Sequence, residues 1–457
     1  MSVKKNGVYK TQAIDLSGDG QGICKVDNFT IFAEGLIPGD TAEVKIIKTN
    51  KTYGYAKVVK ITEPSKDRIR ANCGVFNKCG GCSLLHMNYN AQLKHKQKIV
   101  KDCLERIGGF KNTDKITEDI AGMDSPFNYR NKAQFPVKRN ALHNYADIGF
   151  FAKRTHDVIN LESCGISHEI NEEIIKIFRD FINRNIARIP PYDEKNHTGL
   201  LRHIFTRVAF ATGQIMVCIV INGDDIKNCG ELITALKNIK GMTSIMLNIN
   251  KNKSNVILGK TFKNLWGENY IIDFLCGKKF KISADSFYQV NPVQTEKLYL
   301  KALEFSGAGK DSICADAYCG IGTISLIFAP YVKKIYGVEV NTQAVDDAKE
   351  NAKLNNIENA EFTAGKSEEV IPQIISGGVN IDLIILDPPR KGCDIKLING
   401  IIESGIRKII YISCSPATLA RDLKLLTDKT GYELIKVGSF DMFPHTMHVE
   451  AIALIQL

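Results

Sequence analysis

The stretch Cys314-Ala-Asp-Ala-Tyr-Cys-Gly-Ile-Gly-Thr-Ile-Ser-Leu-Ile-Phe-Ala329 reads as a strand, a glycine turn and a helix in sixteen residues. Gly320 and Gly322 let the backbone turn tightly and come close to a ligand. Four more strand-like segments follow it: "KKIYGVEV" (333–340), "AEFTAG" (360–365), "IDLIILDPP" (381–389) and "RKIIYISCSP" (407–416). Helical segments such as "TQAVDDAKENAKLNN" (342–356) separate them. This βαβ alternation predicts a parallel, doubly wound, Rossmann-like α/β sheet over 276–457. The last segment, "ELIKVGSFDMFPHTMHVEAIALIQL", predicts a closing hairpin at the sheet's edge.

Doubly wound sheets bind ligands at the carboxyl ends of their strands. Three carboxylates and a thiol should therefore meet there. Asp316 lies just before the glycine turn, and Glu339 ends the next strand, where a carboxylate can accept hydrogen bonds from both hydroxyls of a ribose. Asp387 opens "DPPRKG" (387–392), and Cys414 follows "IIYIS". Ser325 stands where a dinucleotide fingerprint has its third glycine. That disfavours a pyrophosphate held on the helix N-terminus and suits a nucleoside cofactor without phosphates, S-adenosylmethionine. A thiolate beside a methyl donor has a specific use. Added to carbon 6 of a pyrimidine, it turns carbon 5 into a nucleophile, and a base must then remove the carbon 5 proton so that the thiol can leave. Glu450, at the start of the final strand, is the expected base, with His445 and His448 as possible supports.

Upstream, residues 1–62 alternate apolar and polar positions between turn signals, which predicts a small five-stranded barrel. Lys45, Lys48, Lys51, Lys57 and Lys60 decorate it. Residues 63–275 form an expected central α+β domain, with a basic amphipathic helix over about 88–108 placed to pack on the C-terminal domain. "CGVFNKCGGC" (73–82) sets Cys73, Cys79 and Cys82 around two glycines, and Cys164 is a candidate fourth ligand. Four thiolates suit either zinc or a [4Fe–4S] cluster, with a slight lean to iron–sulfur. "SPFNYRNKAQFPVKRN" (125–140) interleaves Phe127, Tyr129 and Phe135 with basic residues, the chemistry of stacked bases and neutralised phosphates. "FFAKRTHD" (150–157) and "LLRHIFTR" (200–207) repeat that pattern more weakly.

The motifs "SADSFYQVNP" (283–292), "DAYCGIGT" (316–323), "GVEV" (337–340), "DPPRKG", "SCSP" (413–416) and "HVE" (448–450) together resemble the RNA uracil-C5 methyltransferase family. The resemblance implies that Gln289, Tyr318, Gly320, Gly322, Glu339 and Asp387 bind S-adenosylmethionine, that Cys414 is the nucleophile, and that Glu450 is the base. It implies RNA contacts from Arg130, Asn131 and Lys132. The ribosomal RNA members carry the same cysteine spacing plus a distant cysteine around [4Fe–4S], and the barrel is similar to the RNA-binding TRAM domain. The implied substrate is thus a uridine of 23S ribosomal RNA. Lys366 departs from the pattern, standing where an acidic residue is common. The net charge of +10 suits a polyanionic partner. The opening "MSVKKNGVYK" lacks the apolar core of a secretory leader, and the longest apolar runs are far short of a membrane span. A cytosolic monomer is expected, so the thirteen cysteines are read as reduced.

Overall fold

The computed structural model describes residues 3–140 and 142–457. Met1, Ser2 and Ala141 lie outside the described residues. Strands β1 (Val8–Leu16), β2 (Gly22–Val26), β3 (Phe29–Ala33), β4 (Thr41–Thr49) and β5 (Tyr53–Glu63) close into a barrel in the order β1-β2-β3-β5-β4. Alternation drives the closure: Ala42, Val44 and Ile46 of β4 are fully buried inside, while Glu43, Lys45 and Ile47 face out.

The central domain is a seven-stranded sheet. Its strands are β6 (Lys132–Arg139), β7 (Ala146–Phe151), β8 (Val158–Asn160), β9 (Leu201–Val208), β10 (Ile215–Ile221), β11 (Met242–Ile249) and β12 (Thr261–Gly267), in the order β12-β11-β10-β9-β6-β7-β8. Helices Ile170–Asn185 and Gly230–Lys237 cover one face. On the other face Phe205, Met216, Cys218 and Val220 share a single apolar core with the C-terminal domain. The two units are therefore joined by packing as well as by the chain. The hairpin β13 (Tyr270–Leu275) and β14 (Lys278–Ser283) crosses the expected boundary at Cys276. Cys276 and Gly277 both have positive φ, as its two-residue turn requires. The hairpin is tied to the C-terminal domain by Lys281 N, which donates to Asn351 Oδ1 at 2.8 Å.

The C-terminal sheet contains β15 (Ile313–Asp316), β16 (Lys334–Glu339), β17 (Ala360–Ala364), β18 (Leu383–Leu386), β19 (Lys408–Ser413), β20 (Glu433–Phe440) and β21 (Glu450–Gln456). The order is β17-β16-β15-β18-β19-β21-β20, parallel from β17 through β19. The expected closing hairpin forms, but β21 sits inside it and pairs antiparallel with β19, leaving β20 at the edge. That placement carries Glu450 to the strand that ends at Cys414.

Helix Tyr89–Cys103, continued by one wide turn to Gly108, packs on the helix Pro416–Thr427. Its expected basic face is only partly one. Lys96 is fully buried, with Nζ 2.5 Å from Asp441 Oδ1 and 2.9 Å from the Phe443 carbonyl. The helix thereby clamps the segment that precedes Glu450.

Candidate active site

Gly320 and Gly322 adopt φ of +53° and +83°. A side-chain carbon at Gly322 would stand 3.1 Å from the Phe362 ring, whereas one at Gly320 would meet nothing, so Gly320 faces the open end of the turn. Its N–H donates to Glu339 Oε2 at 3.3 Å, and Asn341 N donates to Glu339 Oε1 at 2.8 Å. The Glu339 carboxylate is thus anchored at the turn by backbone donors. Ser325 has its own task, donating Oγ–H to Asp316 Oδ2 at 2.7 Å. Burial pushes Asp316 up to about 6 in spite of that bond.

Asp387 follows β18 at the same edge. Burial, reinforced by Asp316, raises its carboxyl to about 7. Gln289, on the loop after β14, is buried, and Tyr299 beside it faces both Gln289 and Asp387. Tyr318 is half-buried against Cys393, and burial drives its phenol up.

Cys414 stands one residue beyond β19. The register pairs Ser413 with Ala451, so Cys414 comes opposite Glu450 where the ladder ends. Cys414 is half-buried, and Glu450 is 3% exposed with Oε2 lacking any partner among the described residues. Burial pushes Glu450 up to about 8; Asp387 adds to the rise and Arg390 opposes it. The Cys414 thiol is raised first by burial and next by Glu450, while Arg390 draws it down by charge and by a hydrogen bond. Arg390 is therefore a functional candidate missing from the predicted set. Its signal was available in "DPPRKG", whose arginine directly follows two prolines that fix the backbone. Phe287, 68% exposed beside Gln289, is a second: a large ring left in solvent next to a nucleic-acid site.

A family model described as tRNA (Uracil-5-)-methyltransferase matches residues 88–456, and a TRAM domain model matches 14–59. The chain belongs to this methyltransferase family. It is 46% identical over 453 residues to an uncharacterised RNA methyltransferase of Clostridium tetani, covering 99% of this chain and 97% of that one. It is 45% identical over 456 residues to another from Halalkalibacterium halodurans, covering 100% and 98%. Among solved structures, Pyrococcus abyssi tRNA (uracil-54, C5)-methyltransferase in complex with S-adenosyl-L-homocysteine matches with a TM-score of 0.76 and 25% identity. That match covers 98% of this chain and 100% of that one. The activity is S-adenosylmethionine-dependent methylation of uracil carbon 5 in RNA.

The methyltransferase uses its expected RNA-facing segment differently from the sequence pattern. Phe135 is fully buried in the central core because β6 turns Ala133, Phe135 and Val137 inward. Tyr129 is 1% exposed and donates its hydroxyl to the Pro444 carbonyl at 3.1 Å. Phe127 stacks on His445 at 4.7 Å. Asn131 is 4% exposed, and its Nδ2 donates to the Gln289 carbonyl at 2.9 Å, so it positions the loop after β14. Arg130 and Lys132 remain half-buried; burial, with Arg207 and Arg130 nearby, lowers Lys132 to about 8. "LLRHIFTR" is a central strand with every residue of β9 buried, so its arginines do not form the exposed basic face that the pattern suggests.

His445 supports the site rather than titrating in it. Its carbonyl accepts from Ser83 N and Leu84 N, Gln92 bonds its Nδ1 and its N–H, and burial lowers it to about 4. His448 is exposed. Cys73, Cys79, Cys82 and Cys164 line one cavity of about 280 Å³, together with Phe127, Arg130 and Lys132. All four are free thiols. Burial and the other three cysteines raise Cys82 to about 12. Among the described residues, no group of three or more His, Cys, Asp or Glu side chains is arranged to hold a metal ion, and no helix is long and apolar enough to cross a membrane.

Proposed function

We propose that the enzyme methylates a uridine of 23S ribosomal RNA through a covalent bond between Cys414 and carbon 6 of the base. One observation carries the covalent chemistry: Cys414, Arg390, Asp387 and Glu450 lie together at the sheet edge that also holds the glycine turn. Arg390 stabilises the thiolate, which adds to carbon 6 and moves the negative charge onto the C4 carbonyl and carbon 5. Gln289, Tyr318, Glu339 and Asp387 would hold S-adenosylmethionine, which would supply an electrophilic methyl group. The ionised form of Glu450, a stronger base for its raised pKa, takes the carbon 5 proton, and elimination then frees the thiol.

Cys73, Cys79, Cys82 and Cys164 would be the ligands of a [4Fe–4S] cluster. They line one cavity, with Arg130 and Lys132 alongside, and burial together with the neighbouring cysteines raises the Cys79 and Cys82 thiols. Such a group would supply a fixed anchor for the loop 73–82, since methyl transfer moves no net electron. The loop runs directly into Ser83 and Leu84, which hold His445.

The cysteine set supports ribosomal RNA, while the barrel supports RNA binding without choosing between substrates. A second reading, transfer RNA, is favoured by the Pyrococcus abyssi enzyme, whose chain aligns with nearly all of this one, barrel included. Incubating ribosomal and transfer RNA transcripts with labelled cofactor separates the two. Label only in transfer RNA rejects the ribosomal assignment. RNA carrying 5-fluorouridine should trap a covalent complex, because fluorine does not leave as a proton does. An adduct that persists in Cys414→Ala removes Cys414 from the mechanism.

A further inference from the structure

The central sheet carries a second cleft, which the chemistry at Cys414 does not use. Strand β6 begins beside the cofactor loop at Lys132 and reaches this cleft at Pro136–Arg139, roughly 13–24 Å further along at strand rise. The cavity has a volume of about 340 Å³ and adjoins a shallower depression of about 310 Å³. Its walls are apolar and flat: Phe151, Val158, Pro191 and Tyr192. The Arg202 guanidinium lies over the Tyr192 ring, 4.4 Å from its centroid.

The polar groups are unevenly satisfied. Arg202 Nη1 donates to the carbonyls of Asn250 and Asn252, both at 2.8 Å, but its Nε has no partner among the described residues. His203, on the cleft wall, is 4% exposed and its Nδ1 also has no partner. Burial, with Arg202 beside it, keeps that imidazole neutral, so it offers one donor and one acceptor. Both carboxylates at the mouth are occupied. Glu194 pairs with His156, and Asp193 accepts from the backbone of Lys195 and from Asn196. Lys195 and Lys253 have no ion pair among the described residues, and Arg139 is exposed beside them. Lys138, Arg139, Lys195, Arg202 and Lys253 thus outnumber Asp193 and Glu194 around the cleft.

An apolar slot with an aromatic wall, a stacked guanidinium, one buried neutral imidazole and a cationic rim matches a nucleobase with its flanking phosphates. We propose that this cleft holds an unstacked nucleotide of the RNA strand whose target uridine occupies the Cys414 site. The inference rests on the RNA-methyltransferase activity and adds a base-binding subsite on the central domain. Such a subsite would fix the strand's register by engaging it at two separated points.

The test uses the full-length protein saturated with S-adenosylhomocysteine and an oligouridine carrying photoreactive 4-thiouridine. Cross-linked peptides should fall in two groups, one containing Cys414 and one containing Phe151 or Tyr192. The exposed-rim double variant Arg139→Glu/Lys195→Glu should weaken binding on the order of tenfold and lower the salt slope by about two. It should lose the cleft cross-link and keep the one at Cys414. Absence of the cleft cross-link in the wild type overturns the proposal, as does wild-type affinity and cross-linking in the rim variant. Loss of the Cys414 cross-link alone counts against the catalytic assignment and leaves the cleft standing.

Discussion

Replacing Glu450 with glutamine should stabilise the protein, and more so as the pH rises. The carboxyl is 3% exposed, its Oε2 is unpartnered, and burial raises it from 4.5 to about 8. The sign follows from linkage. The unfolded chain ionises this group above pH 4.5, while the fold holds it protonated until about pH 8, so the folded state loses stability between those values. Each pH unit costs about 1.4 kcal/mol, which gives about 2 kcal/mol by pH 6 and about 4 kcal/mol by pH 8 as upper values. Glutamine has the same shape and does not ionise, so Glu450→Gln escapes the cost. The assay is the difference in apparent melting temperature between variant and wild type, measured at intervals from pH 4.5 to 8. It should be near zero at the acid end and grow steadily. A flat difference, or a wild type that is the more stable at pH 8, refutes the claim that a strained carboxylate is held at the site. The same protein should stall after methyl transfer and accumulate RNA linked to Cys414, visible on a denaturing gel. Normal turnover would remove Glu450 as the base.

Three further outcomes follow from named contacts. Lys96→Met leaves the fully buried Asp441 without its partner and should cost about 3–5 kcal/mol in denaturant unfolding, most of it recovered by adding Asp441→Asn. Arg390→Ala removes the charge that draws the Cys414 thiol down, so iodoacetamide capture of Cys414 at neutral pH should slow, roughly tenfold for each pKa unit gained. Gly322→Ala forces a side chain into φ +83° and against the Phe362 ring; about 1–2 kcal/mol of lost stability, with weaker cofactor binding by calorimetry, is expected.

The parallel sheet was legible because its signals are local. Each strand is a short apolar run, and topology alone then sends Gly320, Glu339, Asp387 and Cys414 to one edge. Glu450 needed one long-range fact, the insertion of β21 between β19 and β20, which the letters of the last strand do not give. The helix 89–103 was harder. Its lysines look alike in sequence, and only Asp441, 345 positions away, distinguishes the buried Lys96 from the exposed ones. The segment 125–140 misled for the opposite reason. Interleaved rings and cations suggest a surface, yet the two-residue period of β6 was present in the same letters and puts Phe135 in the core.

These two difficulties have one origin, and it bears on how the site is built. Lys96, Gln92, Ser83, Leu84, Tyr129 and Phe127 all converge on residues 441–445, from segments that were read as helix face, metal loop and RNA surface. A base held at a pKa near 8 next to a thiol must not drift toward solvent, where its pKa would fall and its reach to carbon 5 would be lost. The chain meets that demand by packing the N-terminal half of the central domain against the five residues that lead into Val449 and Glu450. The barrel-to-sheet linker, far from the chemistry in sequence, is therefore part of what keeps Glu450 dry and opposite Cys414. Substitutions there should alter turnover before they alter RNA affinity.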